Sequence, residues 1–483
     1  MNIKFSSKIK GILSLSGANL FSLIVSLVTS FFLPYYISIR DYGYWQLFIL
    51  YTSYVGFFAF GFNDGVHLNY GKCEYDEINQ SRFKGFRIVL ELIGIIETII
   101  SIILITIFFT GDIDKFYVII FAILNIIPTL LNGLFTYMNQ SMLRFKEYAI
   151  GNIFEKVIFT MFMIVGIMFG FKNYLYYIGF YTLSRYTVFG YHLYSSKKVF
   201  TAKIIPLYQL KIEVINNFKK GIILMISIIL NNSIIVGSRF FIEAKFGIIQ
   251  FSAYSFSMHT FVIASQFIAA VASVFYPILK RCSNQEYRDA LKTFDKFSSI
   301  IISLLLISYY PIVILVDMFY PNYLSIISYL FLIYPLFIFQ CKLNLLIINA
   351  YKVKSKPDEL VFNSILGIGL HFVGVFSAYY LFGSIISIAG AVLFTYVLWY
   401  YICVYKISHE GIWSIDKTSF IDAYITIAFV IINFYFINTF KDNLYLSTLY
   451  SSISYFILLL ISLFSFKEDM VNVVKKTFYY LKD

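Results

Sequence analysis

The chain has 483 residues, of which 59% are hydrophobic and only 13% charged, with a mean hydropathy of +0.77 and a formal net charge of +12. A soluble protein carries about a quarter charged residues, so this composition excludes an ordinary soluble enzyme or scaffold. Apolar runs of twenty residues or more can cross a bilayer core of about 30 Å, whereas a membrane β-barrel would show alternating segments of about ten residues.

In chain order the apolar runs predict about fourteen helices: 11–39, 44–66, 88–110, 116–140, 150–170, 174–195, 219–241, 249–276, 297–317, 323–350, 360–382, 384–405, 419–438 and 444–466. The fold class is an all-α polytopic membrane protein. The first run is too long for the apolar core of a cleavable leader and lacks a small-residue cleavage site. Connections are short, the longest covering 196–218, which leaves no room for a soluble catalytic domain. The stretch 466–483 mixes Met470, Val474 and Phe478 with Lys475, Lys476 and Lys482 and reads as an interfacial amphipathic helix.

With the N-terminus placed inside, 30 of the 38 lysines and arginines fall on its side and 6 on the other, with Arg185 and Lys342 inside spans. This positive-inside asymmetry predicts both termini in the cytoplasm. The basic excess is thus mostly topological, with attraction to anionic headgroups of membrane lipids added, and no nucleic-acid partner is expected. The four cysteines, Cys73, Cys282, Cys341 and Cys403, form no CxxC pair, so neither a disulfide nor a zinc site is expected.

A short segment recurs. "RDYGYWQ" at 40–46 is echoed by "AKFGIIQ" at 244–250, pairing Gly43 with Gly247. A second pair, Asn139 to Lys146 and Asn349 to Lys356, repeats an Asn followed by two bases. Common turn chemistry explains such matches equally well. A duplication would give two six-helix lobes related by a parallel pseudo-two-fold repeat, 1–200 and 201–410, plus two extra helices and a tail in 411–483. Gly43 and Gly247 would then supply the turn geometry at the start of each lobe.

Charges deep in a bilayer are costly and need a reason. At about 1.5 Å per residue, Glu97 lies roughly 15 Å from Arg87 and Lys342 roughly 15 Å from Lys352, with Arg185 a similar distance into its helix from Lys172. Arg185 and Glu97 share a depth, so they read either as a buried ion pair or as Arg185 offered to a phosphate, which its planar fork suits. Lys342 reads as an anion contact or as a side chain snorkelling to the interface. Arg239 with Glu243, and Arg40 with Asp41, read as surface pairs or as contacts at the outer mouth. In "GFNDG" the Gly61/Gly65 spacing fits a close helix contact, and Asp64 reads as a brace or a titratable gate. Asn19, Asn125, Asn132, Asn231, Asn232, His259, Gln266, Gln340 and Asn344 read first as interhelical hydrogen-bonding groups. His259 could also titrate near neutrality.

The stretch "LPYYISIRDYGYWQLFILYTSYVGFFAFGFNDGVHLNYG", 33–71, resembles the start of bacterial O-antigen and polysaccharide flippases of the multidrug/oligosaccharidyl-lipid/polysaccharide exporter superfamily. The resemblance runs through D-Y-G-x-W (Asp41 to Trp45), G-F-N-D-G (Gly61 to Gly65) and the polar, basic loop that follows. The second lobe matches loosely through Lys245-Phe246-Gly247, and helices 9 to 14 match only in pattern. The resemblance implies a flippase moving a polyprenyl-diphosphate-linked oligosaccharide from the cytoplasmic to the outer leaflet of the bacterial inner membrane by alternating access. It implies a cavity among helices 1, 2, 7 and 8, ranking Asn19, Asn231, Asn232, His259 and Gln266 first as substrate contacts; Arg185, Lys342 and Arg239 are the anion candidates by their charge and position. Arg40, Asp41, Asp64 and Glu97 would serve gating or ion pairing. By analogy the last helix pair would form a lipid-tail groove, while partnership with a polysaccharide polymerase and a chain-length regulator is left open by the sequence.

A multidrug exporter of the same superfamily would favour an acidic cavity. A membrane-embedded oligosaccharide polymerase or ligase would need a large outer loop. The absence of GxxxxGK[ST], HExxH and G-x-S-x-G motifs argues against ATP hydrolysis through a phosphate loop, a metal site of that type and a catalytic serine, and no cofactor is expected.

Overall fold

The structure is a computed structural model that describes residues 21–465 apart from 23, 71–74, 76–77, 110, 143, 282–283, 355–356, 412–414 and 416. Asn19, Cys73, Cys282 and the tail 466–483 lie outside the described residues. Among those described the chain is helical throughout, with no strand. It divides into two compact units, residues 1–229 and 230–483.

The first unit contains α1 (Ile24–Tyr36), α2 (Ile39–Val55), α3 (Phe62–Tyr70), α4 (Gln80–Phe108), α5 (Ile113–Leu124), α6 (Ile126–Ser141), α7 (Phe145–Met168), α8 (Tyr174–Ser195), α9 (Lys197–Thr201) and the first part of α10 (Leu207–Arg281). Short polar side chains start these helices by accepting orphan backbone N–H groups: Ser38 for α2, Asn79 for α4, Asp112 for α5 and Asn173 for α8. α4 shows how the apolar pattern is used. Phe83, Phe86, Leu90 and Gly94 are buried, while Ile95, Ile96, Ile99, Ile103 and Ile107 are exposed along the outer side. A water-soluble helix would carry polar residues on that face; here it faces lipid. The buried side joins Phe62, Leu130, Leu134, Phe135 and Met138 in one core.

The second unit contains the rest of α10, then α11 (Asn284–Leu305), α12 (Tyr309–Phe319), α13 (Ile327–Ile333), α14 (Leu336–Lys342), α15 (Asn349–Val353), α16 (Pro357–Phe382), α17 (Ile385–His409), α18 (Ile421–Thr439) and α19 (Leu444–Ser465). The last pair is bonded into this unit. Tyr310 OH donates to the Ser451 carbonyl at 3.1 Å, Tyr455 OH donates to the Ser303 carbonyl at 2.9 Å, and Phe429 meets the Tyr309 and Tyr455 rings edge-on at 5.2 Å.

Eight helices among the described residues are long and apolar enough to cross a membrane, and counting three sharply bent pairs as one span each raises this to 11. The fourteen expected from hydropathy exceed that number. α1 is apolar but, over its described range Ile24–Tyr36, too short to cross. α8 carries Arg185, His192 and seven tyrosines in its 22 residues. The chain is a multi-pass helical membrane protein.

The hinge expectation holds at Gly247 and is corrected at Gly43. Gly247 has φ +81° inside α10, a conformation that favours glycine. The chain turns back there: Arg239 Nε donates to Ser255 Oγ at 3.2 Å, and Tyr254 OH reaches Ser238 Oγ at 3.4 Å. Gly43 makes no turn. Ser38 caps α2 ahead of it, which leaves Gly43 in regular helix with buried neighbours Tyr42, Tyr44 and Trp45. The first unit breaks instead at Phe60 (φ +47°) and Gly61 (φ +76°), where α2 and α3 meet at 59°.

Candidate functional site

The polar groups of the first unit gather in three places. At one end, the D-Y-G segment ties together three helix starts. Asp41 Oδ1 accepts the Tyr174 backbone N–H at 3.1 Å and so helps begin α8. Arg40 pairs with Asp114 at 3.1 Å, Tyr44 OH donates to Asp112, and Tyr174 OH donates to Asp114 Oδ1 at 2.9 Å. The Tyr44 hydroxyl, then the Asp114 backbone N–H and the charges of Arg40 and Lys115, hold the Asp112 carboxyl below its usual range. Trp45 stacks on Phe159 at 5.1 Å and meets Tyr181 edge-on. Arg40 and Asp41, expected at a gate or mouth, are thus placed in a bracket joining α2, α5 and α8.

Midway along α8 lies Arg185. Its Nε is 3.4 Å from Glu155 Oε1 on α7, its Nη2 donates to Tyr181 OH at 2.9 Å, and its Nη1 reaches Thr129 Oγ1 on α6. Asn132 Nδ2 donates to the Arg185 carbonyl at 3.0 Å. The Arg185 side chain keeps 14% exposure and Glu155 27%. The ion-pair reading had named Glu97. The structure corrects it: Glu97 is half-buried on α4, in the stretch whose neighbours Ile95, Ile96 and Ile99 face outward, and pairs with no base among the described residues. The partner follows from hairpin geometry. α7 ends at Met168 and α8 starts at Tyr174, and the steps back to Glu155 and forward to Arg185 are nearly equal. At about 1.5 Å per residue both side chains are within a few Å of one depth.

The third place is the contact of α3 with its neighbours. Toward α6, Asn63 Nδ2 donates to the Leu130 carbonyl at 3.1 Å, the Tyr137 hydroxyl bonds Asp64, and His67 Nδ1 lies 2.7 Å from Ser141 Oγ. Asp64 thus faces α6 through Tyr137. On the other side Gly61 and Gly65 lie directly against the backbone of Asn217 and Gly221 in α10. A Cβ on Gly65 would fall 1.9 Å from the Asn217 carbonyl oxygen, and one on Gly221 would fall 1.8 Å from that of Gly61. Asn69 Nδ2 donates to Asn217 Oδ1 at 2.6 Å, and Lys220 Nζ donates to Asn69 Oδ1 at 2.7 Å. The close helix contact read from the Gly61/Gly65 spacing is present.

In the second unit Lys342 is fully enclosed. Its Nζ donates to Asp295 Oδ1 at 2.6 Å and Ser299 Oγ at 2.7 Å, both on α11, and to Asp422 on α18. Tyr400 OH on α17 approaches Asp295 Oδ1 at 3.5 Å. Snorkelling is ruled out because every residue of α14 but Gln340 is buried, so the stem has no route to an interface. In the sequence Asp295 is flanked by Lys292 and Lys296, which masks it as a deep acid. A signal was present: Asp295, Ser298 and Ser299 recur on one helical face.

Arg239 lies on the first arm of the Gly247 hairpin, 5.4 Å from the Phe251 ring. His259 is half-buried on the second arm and Asn232 is exposed. Asn231 and Gln266 lie in α10, and their side chains are outside the described residues. No group of His, Cys, Asp and Glu among the described residues is arranged to hold a metal.

No protein-family profile matches the sequence. No curated protein matches it in sequence either. Solved structures do match in fold. The lipid II flippase MurJ, in an inward-closed conformation, superposes with a TM-score of 0.65 at 13% identity over 96% of this chain and 100% of that one. An inward-facing multidrug resistance MATE family transporter of the MOP superfamily gives 0.58 at 11% identity over 81% of this chain and 98% of that one. A MOP superfamily transporter from Pyrococcus furiosus gives 0.53 at 10% identity over 83% of this chain and 96% of that one. The chain therefore has the fold of the MOP superfamily transporters.

Proposed function

We propose that this chain is a flippase that moves a polyprenyl-diphosphate-linked oligosaccharide across the bacterial cytoplasmic membrane by alternating access, with both termini in the cytoplasm. The observation that carries this reading is the extent of the match: 96% of the chain superposes on a lipid II flippase, against 81% and 83% for the two other transporters. The bonding of α18 and α19 into the second unit supports it, because that pair is structurally part of the transporter and not an appendage.

Within this reading Arg185 is the anion contact. It is partly exposed, and its planar fork, engaged by Glu155, Tyr181 and Thr129, is of the kind that donates two parallel hydrogen bonds to phosphate oxygens. An arriving diphosphate would exchange with Glu155. Lys342 is reassigned to holding the second unit together, since its three hydrogen bonds to Asp295, Ser299 and Asp422 fill its donors. A multidrug exporter is the second reading, and one feature favours it: Glu155 keeps more exposure than Arg185 and could meet an organic cation.

The test is lipid-linked glycan accumulation in a strain lacking the gene, with leaflet assignment by a membrane-impermeant glycan probe. The flippase reading expects build-up on the cytoplasmic face, relieved by the intact gene and not by Arg185→Ala. Relief by Arg185→Ala would remove the anion role and leave the flippase. Unchanged glycans with new drug sensitivity, restored by the intact gene and not by Glu155→Gln, would replace the flippase with the exporter.

A further inference from the structure

Between α8 and the membrane-crossing part of α10 the chain runs over the end of the first unit, and this run has two unlike sides. It carries six lysines (197, 198, 203, 211, 219 and 220), and all are exposed. The only acid in the stretch, Glu213, is engaged by Arg82 at 2.9 Å and by Tyr70 OH at 3.2 Å. Interleaved with the lysines are Tyr194, Ile204, Tyr208 and Ile212, exposed by 82%, 69%, 75% and 83%.

The underside is fastened. Val199 is enclosed, Phe200 stacks on Phe135 at 5.3 Å and lies under the Arg87 guanidinium at 4.7 Å, and Lys84 Nζ donates to the Ala202 carbonyl at 2.7 Å. Leu210 fills the space over Gly85. Arg144 donates to the Ser195 carbonyl at 3.1 Å, which places the turn from α6 to α7 at the same end. α4 starts at Gln80 beside this run, and its outward apolar row begins only at Leu92, three turns further on. The run therefore sits where the spans leave the hydrocarbon.

We propose that residues 194–220 form an interfacial anchor that seats in a leaflet of anionic phospholipid. The four bare apolar side chains enter the boundary between headgroups and acyl chains, and the lysines other than Lys220, which is held by Asn69, extend to the phosphates. Charge complementarity selects this occupant. Basic side chains beside a membrane are attracted by a negative leaflet, and apolar ones between them favour a bilayer over a dissolved polyanion or an acidic protein. The anchor is rigidly tied to α4 and α6, so lipid charge acts directly on the first unit.

The test uses the full chain reconstituted in mixed phosphatidylcholine–phosphatidylglycerol vesicles, with Tyr208→Trp as reporter and the parent's three native tryptophans subtracted as background. In paired preparations the bromine quencher is carried on the acyl chains of one lipid or the other at equal mole fraction. The added tryptophan should be quenched in both, about twofold more strongly when phosphatidylglycerol carries the bromine, and the preference should fade at high salt. Replacing Lys197, Lys198, Lys203 and Lys211 by Gln should abolish the preference and keep the quenching. Ile212→Trp is the second reporter and should behave alike. Equal quenching by both lipids at low salt overturns the charge selection. No quenching at either position overturns the anchor, and protection by added RNA or an acidic peptide in place of lipid would assign the face to a different partner.

Discussion

Replacing Lys342 by Met removes the one ammonium that Asp295 and Asp422 share, while keeping a long apolar stem in the same space. Both carboxylates are almost wholly enclosed, so neither gains water when the base is lost. Breaking a buried ion pair from one side costs about 3–5 kcal/mol, because the partner charge stays behind. Hydrogen bonds between helices in bilayers average only about 0.6 kcal/mol, since the unfolded chain in lipid finds other partners. The larger figure governs here because the residue lost is a charge with two carboxylate partners. Cys341 and Cys403 are buried in the same unit and serve as reporters of opening. The midpoint of heat-induced thiol labelling in detergent should fall by about 6–10 °C, at roughly 2 °C per kcal/mol. Lys342→Met combined with Asp295→Asn and Asp422→Asn should recover most of the loss. An unchanged midpoint in the single variant would refute the argument, and so would a triple variant no more stable than the single one.

Gly65→Ala and Gly221→Ala should each sharply reduce the yield of monodisperse protein, since the new Cβ meets backbone that cannot rotate away. Gly190→Ala in α8, with nothing within 4 Å, should be neutral or stabilise by about 0.5–1 kcal/mol, as read by the same midpoint. The Asp112 carboxyl is held below its unfolded value, chiefly by the Tyr44 hydroxyl, so its contribution is present above that value and is lost as pH falls through the lowered one. Stability measured from pH 5 downward should therefore fall below about pH 4 in the parent, and less steeply in Tyr44→Phe. Glu155→Leu should destabilise more than Glu155→Gln, because Gln can still accept a hydrogen bond from Arg185 while Leu leaves the guanidinium unmatched; equal midpoints would show that the pair carries no structural weight.

Membrane class and most span positions were legible in the sequence because hydrocarbon thickness sets the length of each apolar run. The helices 384–405, 419–438 and 444–466 lie close to α17, α18 and α19 for that reason. Partners were much less legible. Counting residues from a helix end gives depth but not direction around the axis, so Arg185 was found and Glu155 was not. Lys342 was visible as a deep base. Its carboxylates come from helices 47 residues before and 80 residues after it, a distance no local pattern spans. The Gly61/Gly65 spacing announced a crossing, but its other side, Asn217 and Gly221, lies far along the chain in α10. At Gly43 the local match with Gly247 misled because Ser38, which fixes where α2 begins, has no counterpart in the matched pattern.

The crossing of α3 on α10 also bears on how the chain is made. The backbone that lies nearest Gly61 and Gly65, and the amide that Asn69 bonds, arrive only with residues 217–222. During synthesis α1 to α9 would wait with that seam open, and a nascent chain stopped there should be a ready substrate for quality-control proteases. A fragment ended at residue 200 keeps the seam open, whereas one ended at 229 carries its own closure. The stretch that reads as a connection between two halves is, for biogenesis, the last piece of the first half.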